Sequence, residues 1–311
     1  MHNVQKLRIS GAMSEWIIQI AGTPEGARLA SILALSAAFL HALFGALQKG
    51  RHDPWISRAA IDLSYGLIAL PIALFVVPWP DPGLWPVLFG AMGIHILYKI
   101  AQALTYTRGA YTVVYPVVRG SGPLFAVIAA GFVFGEHFNI VQWLGVAMLV
   151  GGIFGLAAYN RSRLVVGRET LGPALTWAVV TGGFVALYTT YDAWGIRLAA
   201  DPFTFLAWFF VLDSLFMPLW NLRRLVALPS AEIPALAARG VLGAFVAFAS
   251  FGSIMLATRI DEVGRAAVLR ETSTVFAALV GWLVLGEKVG SVRAILMGVI
   301  AAGAVVVEFA S

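Results

Sequence analysis

Charge is sparse along this chain, and the runs between charged clusters are long and apolar. A spanning helix takes about 17–25 predominantly apolar residues. Ten stretches meet that length, each bounded by charge, proline or glycine: 28–48, 56–77, 84–106, 110–134, 138–159, 171–196, 202–221, 233–257, 263–285 and 290–309. The connections are short, the longest being Asn160–Thr170 and Asn221–Glu232, and none is long enough for a soluble domain. The pattern predicts an all-α polytopic membrane protein with ten transmembrane helices.

Composition agrees. Of 311 residues, 60% are hydrophobic and 12% charged, with a mean hydropathy of +0.85. A soluble domain is about 25% charged, so too few polar residues are present to cover a soluble globule. The net charge of +5 does not point to nucleic acid, because the basic residues mostly sit in short loops, where they act as topology signals. The chain has no cysteine, which removes disulfides and thiolate metal sites. Residues 1–27 read as an N-terminal tail, since the apolar piece Trp16–Ala21 is too short for a signal peptide and is flanked by Glu15 and Glu25.

The two halves repeat. Shifting residue 107 onward by 151 positions places Thr107-Arg108 on Thr258-Arg259, Arg119 on Arg270, Phe125-Ala126 on Phe276-Ala277, Gly135-Glu136 on Gly286-Glu287 and Gly152 on Gly303. Asp62 and Asp213 match at the same shift, and Lys49-x-x-x-Asp53-Pro54 matches Arg197-x-x-x-Asp201-Pro202. Five spans per half is an odd number, so the second half enters the membrane from the opposite side. The expected organisation is a tail (1–27), a first five-helix repeat (28–159), a linker (160–170) and a second, inverted five-helix repeat (171–309). Inverted repeats are common in secondary transporters, whose sites lie near the bilayer midplane between them.

The two Gly-Glu turns after the fourth and ninth spans, the glycine-spotted final helices and the 5+5 duplication resemble the drug/metabolite transporter superfamily, specifically its EamA-type members, over about residues 28–309. The resemblance implies a multi-pass protein of the bacterial inner membrane that moves small metabolites outward. It does not carry a substrate over, and it implies no cofactor.

Ionisable residues inside spanning helices are costly and face the bundle interior or a wet cavity. Arg119 stands in the fourth span at about 13 Å depth, near the middle of a core about 30 Å thick. Its stretch, "YPVVRGSGPL", sets it between Pro116 and Pro123, which are expected to break the helix there. Arg270 is its counterpart, followed directly by Glu271 and without nearby proline or glycine, so the fourth span is expected to be the part that bends. Two arginines aimed at one place would bind a carboxylate, phosphonate or phosphate, since the guanidinium fork takes oxyanions bidentately and stays charged. The competing reading pairs each arginine with a buried acid: Glu271, Asp62, Asp192 or Asp213. One of the two could pair while the other binds substrate. The aspartates are candidates for coupling or ion pairing, and Glu271 for a proton-carrying role.

A second polar set comprises His41 in the first span and His95, Tyr98 and Lys99 in the third. His95 and Lys99 are four apart and share a helix face, with Gln102 nearby. Tyr191 joins these as a substrate contact, and Trp177, Tyr188, Trp194 and Trp208 are further cavity aromatics. No histidine pair has metal-ligand spacing, so no metal site is expected. The Gly-Glu turns read as structural, the glycine ending one helix and the carboxylate capping the next. Gly145, Gly151, Gly152 and Gly155 permit close packing of the fifth span.

Loops on the N-terminal side carry six basic residues and those on the other side eleven, which places both termini outside, opposite to the cytoplasmic termini usual for the family resembled. No P-loop, His-Glu-x-x-His or Gly-x-Ser-x-Gly pattern supports an enzyme or an ATP-driven pump. The expected activity is alternating-access export of a small metabolite with an acidic group, such as an amino acid, organic acid or phosphonate. Rival readings are a lipid-phosphate or phospholipid flippase and an enzyme on a lipid-linked substrate. Expected partners are the small-molecule substrate and the bilayer, the chain being a monomer or homodimer.

Overall fold

A computed structural model of the chain describes residues 2–48, 53–109, 111–163, 171–283 and 290–310. Every regular element among the described residues is an α-helix. In chain order these are α1 (His2–Ile20), α2 (Pro24–Gln48), α3 (Pro54–Phe75), α4 (Leu84–Arg108), α5 (Tyr111–Phe134), α6 (Ile140–Ser162) and α7 (Leu171–Leu198), then α8 (Pro202–Asp213), α9 (Phe216–Trp220), α10 (Leu222–Val226), α11 (Ile233–Ile260), α12 (Val263–Arg270), α13 (Ser273–Leu283) and α14 (Ser291–Phe309). Nine stretches among the described residues are long and apolar enough to cross a membrane, and they fall on nine of the ten predicted spans. The remaining span, 263–285, is α12 followed by α13; its last residues lie outside the described ones, as do Gly286 and Glu287. The protein is a multi-pass membrane protein.

The chain forms two compact units, Met1–Gly93 with Asp192–Asp261, and Ile94–Tyr191 with Glu262–Ser311. Each draws helices from both halves of the sequence.

In the first unit α11 packs on α2 and α3. Small residues let these helices approach, as expected where lipid supplies no hydrophobic drive between helices. Ala34, Ala37 and Ala38 are fully buried, and Ser250 Oγ donates to the Ala37 carbonyl at 2.9 Å. A Cβ on Gly240 would stand 2.9 Å from the Ala60 carbonyl oxygen. The tail differs from expectation: it is the helix α1. A helix needs only one buried stripe, and Ser14, Ile17 and Ile20, three residues apart, supply it. Ser14 Oγ also donates to Asp201 at 2.8 Å.

In the second unit α6 packs on α14 and α5 on α6 and α12. A Cβ on Gly145 would lie 2.8 Å from the Gly303 carbonyl, and one on Gly303 would lie 2.6 Å from the Gly145 carbonyl. Gly152 and Gly155 are also tight against α14, but Gly151 faces open space and carries none of the packing expected of it.

Two local expectations are overturned. The helix interruption lies in the second copy, not the first. Here α5 runs unbroken through Pro116 and Pro123, whereas the second copy stops at Arg270 and restarts at Ser273. Around the stop the backbone takes tighter bonds, Glu271 N–H to Val268 and Thr272 N–H to Leu269, while Thr272 Oγ1 and Thr274 Oγ1 bond the carbonyls of Leu269 and Glu271 at 2.7 and 2.9 Å. Hydroxyl side chains that compete for backbone carbonyls weaken a helix. The second surprise is Glu136. Gly135 does end α5, with φ +69°, but Glu136 does not cap the next helix, since α6 has its own capping box of Asn139 and Gln142. The two Glu136 oxygens instead accept the N–H groups of Val263 and Gly264 at 2.7 and 2.8 Å, the first turn of α12.

Candidate substrate site

Arg119, Arg270 and Glu271 of the second unit converge around the break between α12 and α13. Ala126 of α5, Ala186 of α7 and Ala267 of α12 pack as one small-residue cluster, which brings these three helices close. Arg119 on α5, 5% exposed, approaches Glu271 Oε2 with its Nε at 2.8 Å and donates from Nη2 to Ser273 Oγ at 2.7 Å. The Nε–H does not aim along the carboxylate contact, so that contact is a charge pairing and not a linear hydrogen bond. Glu271 is 3% exposed. Arg119 thus follows the paired reading, and its partner is the acid beside the other arginine.

Arg270, buried as the last residue of α12, donates to the Tyr188 hydroxyl of α7 at 3.4 Å. The Tyr188 ring lies 4.7 Å from that of His95 and 5.0 Å from that of Tyr98, both on α4. Gln102 Nε2 in turn donates to the Tyr98 hydroxyl at 2.6 Å. Lys99, one turn from His95, is buried as well. Tyr191 is half-buried on α7. The structure therefore gathers Arg119, Arg270, Glu271, His95 and Tyr98 in one unit. It adds Tyr188 and Ser273 as direct partners. Tyr188 was only one aromatic among many in the sequence, and Ser273 had no signal beyond following the Arg-Glu pair by two residues.

The other candidates lie in the first unit. Asp62, fully buried, takes the Nε of Arg58, one turn earlier on α3, at 2.6 Å. Asp213 accepts the Tyr65 hydroxyl at 2.5 Å. Arg58 and Tyr65 are thus partners of the two aspartates. Asp192 is buried on α7, and His41 is half-buried on α2. Among the described residues no group of three or more His, Asp or Glu could hold a metal ion.

Chemically, the second-unit cluster sets the Arg119 and Arg270 guanidiniums and the Glu271 carboxylate beside aromatic rings in tilted and edge-on contact. Burial strengthens each charge interaction and makes an unmatched charge costly.

Comparison with known proteins bears on this arrangement. The model of the EamA-like transporter family matches residues 28–158 and again 172–309. The uncharacterized protein y4nH of Sinorhizobium fredii (strain NBRC 101917 / NGR234) is 35% identical over 100 residues, which make up 31% of this chain and 80% of that protein. A protein of known crystal structure superposes with a TM-score of 0.69 at 19% identity, covering 91% of this chain and 99% of the other. At that identity the likeness shows the fold alone.

Proposed function

Because the chain belongs to the EamA-like transporter family, and is on that ground a membrane transporter of small molecules, we propose that it exports a small organic anion across the inner membrane by alternating access. The observation that carries this reading is the position of Arg270. It is buried at a helix break, hydrogen-bonded to the Tyr188 hydroxyl and beside the buried Arg119–Glu271 pair. A substrate carboxylate or phosphonate would be held by the guanidinium fork. The rings of Tyr188, His95 and Tyr98 offer a stacking surface for the organic part. Arg119 and Ser273 hold the frame. A helix break at the binding group suits alternating access, since inverted-repeat transporters place interrupted helices at their sites.

The test is a proteoliposome panel of amino acids, organic acids and phosphonates. The wild-type protein should give saturable counterflow of at least one acidic compound, inhibited by acidic analogues and not by their decarboxylated forms. Arg270→Ala should lose that transport while inserting normally. Full activity in Arg270→Ala would sink the proposed site.

A further inference from the structure

The family match begins at residue 28, so α1 lies outside it, and α1 is not among the stretches long and apolar enough to span. Two polar contacts fix where it runs. Ser14 Oγ donates to Asp201 Oδ2 at 2.8 Å, and Asp201 is the N-cap of α8. Eight residues on, just past the end of α1, the Gly22 N–H donates at 3.0 Å to the carbonyl of Ile260, the last residue of α11. Both partners stand at the ends of membrane-crossing helices, and α2 begins at Pro24. α1 therefore crosses the end of the first unit instead of running down its side. The lengths agree, since eight residues of helix cover about 12 Å at ~1.5 Å each, and packed helices such as α8 and α11 stand about 8–10 Å apart.

Over residues 12–20 the side chains of α1 divide by face. Ser14, Ile17 and Ile20 are buried against the unit. At about 100° per residue, Trp16 and Ile18 stand on the two flanks of that stripe, and Met13 stands on the same side as Ile17, one turn earlier. All three are exposed, Met13 by 51% and Trp16 by 46%. Glu15 and Gln19, four apart and also exposed, stand opposite the stripe. The apolar side of α1 is thus wider than the strip the protein covers.

The same end of the unit carries a second marker. Thr204, whose N–H is capped by Asp201, donates from Oγ1 to the Pro78 carbonyl at 3.0 Å. This ties the next residue, Trp79, to the start of α8, where it too is exposed, its ring 5.0 Å from that of Trp208. Exposed tryptophans at the ends of spanning helices sit at headgroup level.

We infer that α1 is an in-plane amphipathic helix that binds the bilayer surface, with Met13, Trp16 and Ile18 at the boundary of headgroups and acyl chains and Glu15 and Gln19 toward water. The partner is the lipid surface because α1 is stitched to the ends of helices that themselves stand in lipid, at the level Trp79 marks. Interfacial helices bury their apolar face about 5–10 Å into that boundary. Bound in this way, α1 ties the start of α8 and the end of α11 to the membrane surface.

The chain has no cysteine, so single-cysteine variants of the full-length protein can carry a nitroxide without prior substitutions. The five positions Met13, Glu15, Trp16, Ile18 and Gln19 are exposed, so the label displaces no packed side chain; Trp79→Cys supplies the depth reference. In vesicles of phosphatidylcholine and phosphatidylglycerol, the ratio of oxygen to nickel-chelate accessibility should be several-fold higher in Met13→Cys, Trp16→Cys and Ile18→Cys than in Glu15→Cys and Gln19→Cys. Trp16→Cys should report the shallow depth of Trp79→Cys. Nickel-rich values at all five positions would place α1 in water, and low access of both reagents at Met13, Trp16 and Ile18 would place a second copy or another protein over it. A steady rise of oxygen access along 13–19 would make it a span. Each of these three outcomes overturns the assignment. The readout needs no transported compound, so it stands apart from the proteoliposome panel.

Discussion

Arg119 and Arg270 occupy equivalent places in the duplicated sequence, as do Asp62 and Asp213, yet the members of each pair meet different partners. The first-half residue lies in an unbroken helix and is matched by an opposite charge: Arg119 by Glu271 and Asp62 by Arg58. The second-half residue ends a helix and hydrogen-bonds a tyrosine hydroxyl: Arg270 with Tyr188 and Asp213 with Tyr65. The two units repeat one division of labour with opposite charge. One copy of each motif stands in an unbroken helix in an ion pair. The other stands where the backbone is interrupted, with a tyrosine hydroxyl among its partners.

The division can be broken most sharply at the arginines. Arg119→Ala removes the guanidinium 2.8 Å from buried Glu271, a loss of about 3–5 kcal/mol, whereas Arg270→Ala should cost less stability and end transport. Thermal unfolding in detergent compares them, and equal destabilisation would erase the distinction. Next are the glycines of α6 and α14, where Gly152 and Gly303 are equivalents. A Cβ on Gly303 meets the Gly145 carbonyl and the Leu149 nitrogen, both at 2.6 Å, while one on Gly152 meets the backbone no closer than 3.1 Å. Gly303→Ala should therefore cost about 1–3 kcal/mol and exceed Gly152→Ala in the same melts, with Gly151→Ala near neutral.

Glu136→Ala should cost about 0.5–2 kcal/mol, the range for losing a helix cap. Its signature is location: hydrogen exchange should quicken at Val263 and Gly264 and stay unchanged at Val141 and Gln142. The reverse pattern would return Glu136 to α6. The smallest effect concerns the two Asp-Pro turns. Asp53 caps α3 through the N–H groups of Trp55 and Ile56 and meets Arg224 at 3.0 Å; Asp201 caps α8 and takes Ser14. Burial alone would raise the Asp53 carboxyl, but the Arg224 hydrogen bond, the Ile56 and Trp55 N–H groups and the Arg224 charge together hold it below its ordinary value. A carboxyl lowered in the folded state stabilises fully above its unfolded value, near ~3.9, and the contribution is lost as pH falls through the lowered folded value. Asp53→Asn keeps a cap but drops the pairing, so it should lose about 0.2–1 kcal/mol at neutral pH and show less acid sensitivity than the wild type.

The spans, the duplication and the buried arginines were legible because bilayer thickness and the cost of intramembrane charge act directly on sequence. Helix continuity was not. Pro116 and Pro123 suggested a break, but a membrane helix can satisfy the groups a proline frees, and Ser121 Oγ bonds the Val117 carbonyl at 2.7 Å within that stretch. The stronger interrupter was the pair Thr272 and Thr274, whose hydroxyls compete for backbone carbonyls and carry no conspicuous signature. The partner of Glu136 was hidden for another reason: it lies 127 residues away on the chain, and a cap is ordinarily sought next door.

Because α2 packs on α11 and α6 on α14, neither compact unit exists until the second half of the chain has been made. During synthesis the first five spans would wait in the bilayer with their glycine and alanine faces uncovered, and Arg119 would wait without Glu271. Two polypeptides divided in the linker would each hold half of both units, so neither could fold to completion without the other. A tandem gene keeps these mutually dependent halves in equal number and within reach of each other.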